Sequence, residues 1–361
     1  MIDKFNPAWT FAIPMVSVLI LGIYFIFPQF PAIVLLLCGG LIGSVVTAVH
    51  HAEVIALKVG EPFGTLVLAL SVTIIEVALI VSMMLSGGAE AMGLARDTIF
   101  AAIMIILNAI IGLSLFIGAS KHQIQGFNLE GVTVALSIMT VIIILTMVLP
   151  NYVTSAAAVG TYTHSQLLFI AFLTLVLFGT FIFCQTIRHR SYFLEVVQAE
   201  CTNTEVIKPT TKTTILSLVI LLISLVVVVL SAKGISPTLE VLLERYGAPM
   251  ATLGILIAAI VLLPEFGAAM RAAQANRLQS SLNLAIGSAI ASIGLTIPVV
   301  AIVSISMGWT LELGLDAKSI VLLTLSLFIV AISLRTGNTT ILPGIVHLCI
   351  FCAYLFFSFV P

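Results

Sequence analysis

Two glutamates stand inside long apolar stretches of this sequence. Glu76 lies near the middle of residues 64–85, and Glu265 lies within residues 248–273, where the first basic residue, Arg271, comes near the far end. Stretches of this length cross the roughly 30 Å hydrocarbon core of a bilayer, so both carboxylates are expected near its centre. A bare charge is costly there, and intramembrane acids usually bind ions or protons.

The chemistry expected of this pair is an exchange of protons for metal cations. Burial in hydrocarbon favours the protonated form of a glutamate, whereas a cation beside it stabilises the carboxylate. Such a residue couples proton and cation movements in opposite directions. Two of them release two protons for one divalent ion, while a monovalent ion requires only one to ionise. The structural alternative is that Glu76 and Glu265 are protonated acids in interhelical hydrogen bonds.

Other oxygen-bearing side chains within the apolar stretches are candidate auxiliary ligands, because hard cations need several oxygens. The candidates are Thr73, Asn108, Ser288 and Ser292. Thr73 precedes Glu76 by three residues and therefore shares its helix face. Each hydroxyl can instead bond to its own helix backbone, and the stripe of Ser288, Ser292 and Thr296 can be a packing face of small residues. The amide of Asn108 needs a partner in the middle of its apolar stretch.

A group of titratable residues lies just before residues 64–85. It consists of His50, His51, Glu53 and Glu61. Histidine titrates near physiological pH, so one interpretation is a proton path or a pH-sensing cluster at the cytoplasmic membrane surface. The alternative is an ordinary solvated face.

The five cysteines show no paired metal-ligand spacing and are interpreted as small apolar packing residues. They are Cys38, Cys184, Cys201, Cys349 and Cys352. The same interpretation is preferred over a metal cluster for His347 with the last two cysteines.

The composition is that of a protein embedded in a lipid bilayer. Of 361 residues, 61% are hydrophobic and 8% charged, against about 25% charged in soluble domains. The formal net charge is −1 and no Lys/Arg-rich tract is present. The sequence therefore predicts a polytopic membrane protein that does not bind nucleic acid.

Apolar windows of about 20 residues predict about eleven transmembrane helices in an all-α fold. They are residues 9–27, 30–49, 64–85, 98–119, 129–149, 165–186, 215–231, 248–273, 282–307, 317–334 and 341–360. The second can continue as a helix to Lys58, because nothing before Gly60 breaks it.

A polar stretch, residues 187–214, separates two halves of the chain. The predicted organisation is an extra N-terminal helix (1–29), a first five-helix repeat (30–186), a cytoplasmic linker (187–214) and a second five-helix repeat (215–361). An odd number of spans per repeat inverts one repeat relative to the other, as in many transporters. Glu195, Glu200 and Glu205 make the linker either a regulatory, cation-attracting segment or a plain solvated one.

The distribution of basic residues predicts the orientation, since cytoplasmic loops are enriched in them. Ten fall on the side of the N-terminus: Lys4, Lys58, Lys121, Arg188, Arg190, Lys208, Lys212, Arg271, Arg277 and Arg335. Four fall on the other side: Arg96, Lys233, Arg245 and Lys318. The N-terminus is therefore expected in the cytoplasm and the C-terminus outside.

Two stretches of the sequence resemble a known family. HHAEVIALKVGEPFGTLVLALSVTIIEVALI (50–80) and LLPEFGAAMRAAQANRLQSSLNLAIGSAIASIGLTIPV (262–299) are similar to the alpha-repeats of the calcium/cation antiporter superfamily. The nearest match is the cation/proton exchanger family, in its bacterial calcium (sodium, potassium)/proton antiporter branch. The resemblance covers nearly the whole chain.

The resemblance implies roles for particular residues. The family's repeats centre on Gly-Asn-x-x-Glu, whose glutamates bind the cation and the proton, and these positions correspond to Glu76 and Glu265. Gly287-Ser288 matches the family's Gly-Ser. Thr73 and Leu262 stand where related exchangers have asparagine, and Phe266 stands where histidine is frequent. With fewer oxygen ligands, a site that serves sodium or potassium as well as calcium is expected.

These observations predict a secondary transporter in the bacterial cytoplasmic membrane. It is expected to export Ca²⁺, and also Na⁺ or K⁺, in exchange for protons by alternating access, with no cofactor beyond the transported ions. The alternatives are a monovalent Na⁺(K⁺)/H⁺ antiporter with little Ca²⁺ activity and a passive cation channel. An enzyme is not predicted, because His-Glu-x-x-His and Gly-x-Ser-x-Gly motifs are missing from the sequence. The sequence leaves open whether the chain forms a homo-oligomer.

Overall fold

The computed structural model describes residues 7–27, 31–60, 63–87, 92–153, 158–195, 208–247, 249 and 251–360. The helices of this part of the chain are α1 (Trp9–Ile26), α2 (Pro31–Val59), α3 (Phe63–Gly87), α4 (Leu94–Met104), α5 (Ile111–His122), α6 (Leu129–Ile143), α7 (His164–Phe183), α8 (Thr211–Tyr246), α9 (Ala251–Gln274), α10 (Leu278–Met307), α11 (Ala317–Ser333) and α12 (Ile341–Phe359). Two short strands, β1 (Gln125–Gly126) and β2 (Asn338–Thr339), pair antiparallel.

Several helices contain or end in a π-helical turn, in which the backbone ladder is one residue wider than in an α-helix. These turns are Ile105–Ile110, Ile144–Val148 and Cys184–Arg188. The first joins α4 directly to α5, so that the two helices form one continuous span from Leu94 to His122.

The number of apolar helices agrees with the sequence prediction. In the described ranges, nine helices are long and apolar enough to cross a membrane, and Leu70–Leu85 and Ala317–Ser333 are shorter apolar helices. Together they correspond to the eleven expected spans. The prediction of an all-α polytopic membrane protein is confirmed.

Two helices extend beyond the apolar windows. Helix α2 continues to Val59, as the lack of a breaker before Gly60 allowed. Helix α8 runs to Tyr246 although its window ended at Ser231, so that predicted boundary was wrong. The helix passes through Gly234, whose carbonyl accepts a hydrogen bond of 2.8 Å from the Tyr24 hydroxyl. A side chain at Gly234 would lie 2.9 Å from the Tyr24 ring, so close helix packing explains this glycine.

The described helices divide into two compact units. Unit 1 contains α1, α2, α3 and α8. In it, α1 crosses α2 at small residues: Ser17 Oγ donates to the Gly40 carbonyl at 3.2 Å, and a Cβ on Gly43 would come within 2.7 Å of Ile13. The N-terminal helix is therefore packed into unit 1.

Unit 2 contains α4–α7 and α9–α12, arranged around the α4–α5 span. Helix α9 approaches the first turn of α4 so closely that a Cβ on Gly254 would lie 2.9 Å from the backbone of Asp97 and Thr98. Helix α10 contacts α5 through a hydrogen bond of 2.8 Å from Ser281 Oγ to Ser114 Oγ. Most of the α4–α5 span is buried by these neighbours.

Different polar contacts join the helix ends at the two ends of unit 2. At one end, Lys121 and His122 each contact the Gln274 carbonyl at 2.9 Å, and Arg277 Nε lies 3.3 Å from Glu195 Oε1. At the other end, Arg96 pairs with Glu312 and Lys318 Nζ donates to the Phe357 carbonyl. Lys121 and Arg277 are thus separated from Arg96 and Lys318, as the alternation of predicted loops requires.

Candidate functional site

Glu265 lies in the middle of α9 and is 5% exposed. Pro264 directly precedes it within the helix. Proline has no backbone N–H, so the carbonyl of Ile260, one turn earlier, lacks its usual helical donor. Sequence reasoning overlooked this feature, although a proline inside an apolar span is a visible signal for it.

Helices α9 and α10 form an antiparallel hairpin whose turn contains Asn276, a residue with φ of 58°. At 1.5 Å per residue, Glu265 and Ser288 both lie roughly 17 Å from this turn, and therefore at about the same height. Ser288 is half-buried and Ser292 is 2% exposed, one turn further along. The hairpin thus brings Ser288 to the level of Glu265.

Thr296 continues the stripe of small polar residues on α10. Its side chain is fully buried, and its Oγ1 atom makes no hydrogen bond to any described residue. The back-bonding alternative therefore does not apply to this hydroxyl. A buried hydroxyl without a partner is unfavourable by about 1–3 kcal/mol, which makes it a ready ligand for a water or an ion.

Asn108 lies within the π-helical turn Ile105–Ile110 and is fully buried. Its span runs parallel to α9, because the two contact each other at both their N-terminal and C-terminal ends. Asn108 and Glu265 each follow the N-terminal contact by roughly 15–17 Å and so lie at similar heights. The Asn108 amide donates to Ser326 Oγ at 2.9 Å, and its Oδ1 lies 3.4 Å from His347 Nδ1.

Glu76 belongs to unit 1, where it lies near the middle of α3 and is 4% exposed. Thr73 is equally buried at 4% exposed. The two residues are three positions apart and lie on the same buried side of the helix, as predicted. The roles assigned to them from the sequence remain predictions.

Two residues of the expected titratable cluster, His50 and His51, contact the start of α1. His51 is fully buried, and its Nε2 lies 3.4 Å from the Thr10 carbonyl. The ring of half-buried His50 lies 5.3 Å from that of Trp9. Glu53 is half-buried, whereas Glu61 falls outside the described residues. His51 therefore does not lie on a solvated face.

His347, two cysteines and the linker acids complete the residues singled out by the sequence. His347 is fully buried, whereas Cys349 and Cys352 on the same helix are exposed, so the three do not share a face. The linker residue Glu195 accepts hydrogen bonds from Arg277 and Ser280. Glu200, Cys201 and Glu205 lie outside the described residues.

The family of this chain follows from comparison with known proteins. The profile of the sodium/calcium exchanger protein family matches residues 29–187 and 216–360. The chain therefore belongs to this family, and the predicted membership of the calcium/cation antiporter superfamily is confirmed. The first matched stretch contains α2–α7, in which α4 and α5 form one span, and the second contains α8–α12, so each holds five spans. The inverted orientation of the two repeats remains a prediction. The boundaries of the N-terminal helix, the repeats and the linker remain predictions.

Individual relatives cover almost the full chain. A putative ionic transporter, y4hA of Sinorhizobium fredii, is 42% identical over 98% of this chain and 97% of its own length. The sodium-potassium/proton antiporter ChaA of Escherichia coli is 35% identical over 91% of this chain and 89% of its own length.

Solved structures share the fold at low sequence identity. Native YfkE superimposes with a TM-score of 0.74 and 18% identity, covering 98% of this chain and all of its own. The H⁺/Ca²⁺ exchanger CAX has a TM-score of 0.72 and 19% identity, covering 96% of this chain and 87% of its own. The chain is a multi-pass membrane ion antiporter of this fold.

Proposed function

We propose that this protein exchanges Na⁺, K⁺ or Ca²⁺ for protons, and that Glu76 and Glu265 are the carboxylates that bear either proton or cation. The observation that carries the proposal is the burial of both glutamates, 4% and 5% exposed, in the middle of apolar helices. The name of the E. coli relative, a sodium-potassium/proton antiporter, supports a monovalent cation and a proton as substrates.

The chemistry follows from the cost of burying charge. A glutamate in hydrocarbon is stable as the neutral acid or as a carboxylate beside a cation, but not as an isolated anion. The cation can therefore bind only when a proton leaves, and the proton returns only when the cation leaves. The transport cycle must expose each glutamate to the two sides of the membrane in turn, by alternating access.

The oxygens around Glu265 support a broad choice of cation. Ser288 lies at about the same depth along the hairpin as Glu265, and the Ile260 carbonyl lacks its usual helical donor because residue 264 is a proline. Leu262 provides no side-chain oxygen on the turn before Glu265. Ca²⁺ takes six to eight oxygen ligands, usually including several carboxylates. Because Leu262 supplies no oxygen one turn before Glu265, the proposed site should accept Na⁺ and K⁺ in addition to Ca²⁺.

The decisive experiment measures proton release from acid-loaded vesicles that contain the purified protein, after addition of Na⁺, K⁺ or Ca²⁺ in turn. Glu76→Gln and Glu265→Gln should each abolish release while the protein remains folded in the membrane. Glu130→Gln makes the same change at an exposed residue of α6 and should retain exchange. Normal exchange by either buried variant would refute the assignment of that glutamate.

The same vesicles separate the alternatives. Uptake of labelled cation that persists without a pH gradient and releases no protons would indicate a channel. Proton release with Na⁺ and K⁺ but not Ca²⁺ would indicate a monovalent antiporter.

We also propose the orientation derived from the basic residues, with the N-terminus in the cytoplasm of a bacterium and the protein in its cytoplasmic membrane. On this orientation the end of unit 2 that carries Lys121 and Arg277 faces the cytoplasm. Labelling of single cysteines introduced at the two ends of unit 2 in intact cells would test it.

A further inference from the structure

One buried amide connects the π-helical turn Ile105–Ile110 to two other helices. Asn108 Nδ2 donates to Ser326 Oγ of α11 at 2.9 Å, and Ser326 Oγ donates to the Leu322 carbonyl at 2.8 Å. On the other side, Asn108 Oδ1 lies 3.4 Å from Nδ1 of His347 on α12. All three side chains are 0% exposed. Both ends of the carboxamide are therefore engaged by protein.

The direction of these hydrogen bonds fixes the form of the histidine. The Asn108 nitrogen also donates to the Met104 carbonyl at 3.3 Å, so the amide oxygen must be the acceptor toward His347. His347 consequently carries its hydrogen on Nδ1. Its Nε2 is a buried acceptor that makes no hydrogen bond to the described residues.

The position of Asn108 in a π turn matters for the packing of unit 2. One additional residue in a helix rotates the following turns by roughly 100° relative to the preceding ones. Before the turn, α4 meets α9 at Gly254. After it, α5 meets α12 so closely that a Cβ on Gly112 would lie 2.9 Å from His347 Cβ. The π turn therefore sets the angle between the face that contacts α9 and the face that contacts α12.

We propose that Asn108, Ser326 and His347 form an interhelical brace that holds this π turn and thereby positions α9, the helix that carries Glu265. Asn108 then acts as a positioning residue and not as a cation ligand, because both ends of its carboxamide already contact side chains of α11 and α12. The proposal rests on the proposed function for its transport readout, but the brace itself can be measured without transport.

The brace is tested by substitutions that distinguish the two nitrogens of His347. An asparagine amide can place its nitrogen near the position of Nδ1, whereas a glutamine amide reaches toward that of Nε2. His347→Asn should therefore retain most of the transport rate, and His347→Gln should lose it as His347→Ala does, by up to about tenfold. Cys349→Ala on the exposed side of α12 is the matched control and should behave as the unmodified protein.

Cation selectivity separates a brace from a ligand. If Asn108 positions α9, Asn108→Ala and His347→Ala should lower the maximal exchange rate for Na⁺, K⁺ and Ca²⁺ by similar factors, with unchanged ratios of KM among the three ions. If Asn108→Ala alters those KM ratios about tenfold while His347→Ala does not, Asn108 is a ligand and the proposal is overturned.

Thermal unfolding of purified protein in detergent supplies the readout independent of transport. Each alanine variant should lower Tm by about 2–4 °C, and the double variant should lower it by less than the sum of the two, because both remove the hydrogen bond between Asn108 and His347. Additive losses in Tm would refute the brace. If the unmodified protein released no protons on addition of any cation, but the Tm losses were non-additive, the proposed function would be refuted and the brace would stand.

Discussion

Arg96 and Glu312 form a salt bridge in which Nη1 and Oε1 are 2.8 Å apart. This pair ties the first turn of α4 to the segment that follows α10. Arg96 Nε also lies 2.8 Å from Asp97 Oδ1. The side chains of Arg96 and Asp97 are both 20% exposed, whereas that of Glu312 is 47% exposed. The ion pair of Arg96 with Asp97 is therefore less screened by solvent than its pair with Glu312.

This difference predicts unequal effects of removing the two acids. Glu312→Gln removes an exposed ion pair and should reduce the free energy of unfolding by less than about 1 kcal/mol. Asp97→Asn weakens a charge-assisted hydrogen bond in a more buried setting and should cost about 1.5–3 kcal/mol. Thermal unfolding of both variants in the same detergent would measure the order. A larger loss for Glu312→Gln would contradict it.

The packing of α5 against α12 predicts a strong effect at one glycine. A Cβ on Gly344 would lie 2.5 Å from Phe116 N and 2.8 Å from the Gly112 carbonyl, which are backbone atoms and cannot move aside cheaply. Gly344→Ala should therefore separate the helices and lower Tm by several degrees, at a cost of about 1–3 kcal/mol.

Gly179→Ala is the matched control for this substitution. A Cβ on Gly179 of α7 would meet nothing within 4 Å, and alanine is favoured over glycine inside a helix by roughly 0.5–1 kcal/mol. This variant should be as stable as the original or slightly more so. Equal Tm values for the two variants would show that the close approach at Gly344 is not limiting.

The sequence was sufficient to predict the class of fold because bilayer-spanning helices depend on long apolar runs, which are visible without a structure. A carboxylate in such a run is conspicuous, so the sequence also singled out Glu76 and Glu265 as candidates, and their roles remain predictions. The sequence misplaced the end of α8, because the apolar window ends at Ser231 whereas the helix continues through Gly234, against which Tyr24 packs. A helix boundary of this kind depends on contacts between distant residues.

The partners of Asn108 could not be identified from the sequence for a similar reason. The amide was expected to need a partner, but Ser326 and His347 are more than two hundred residues away and have no distinctive spacing relative to it. The burial of His51 was hidden in the same way, because it depends on the packing of α1 against α2. Hydrophobic patterns give the helices and not their mutual rotation.

The burial of Tyr162 predicts a loss of stability in alkaline solution. It lies between the spans that end at Tyr152 and begin at His164, and its hydroxyl donates to the Leu145 carbonyl at 2.6 Å. Burial raises the pKa of Tyr162 to about 12. Between its ordinary pKa of about 10 and this value, the unfolded chain loses the phenolic proton while the native protein retains it. The native state binds more protons, so stability must fall as the pH rises.

Tyr162→Phe isolates this contribution. Near pH 8 the variant should be less stable by about 1 kcal/mol, because it lacks the hydrogen bond. From pH 10 to 12 the original protein should lose about 1–3 kcal/mol more than the variant does. The free energy of unfolding of both proteins, measured in detergent across this pH range, should therefore converge as the pH rises. A constant difference between them would show that Tyr162 titrates normally in the native protein.

Competition between protons and cations gives the most direct prediction for transport. If a cation binds only after a glutamate loses its proton, the apparent KM must rise as the pH falls below the pKa of the site. Where one proton is displaced, as expected for Na⁺ or K⁺, KM should rise about tenfold per pH unit; where Glu76 and Glu265 both lose protons to Ca²⁺, it should rise about a hundredfold. Initial rates of cation-driven proton release at several pH values would give both slopes. A KM independent of pH for every ion would show that protons and cations do not share these carboxylates.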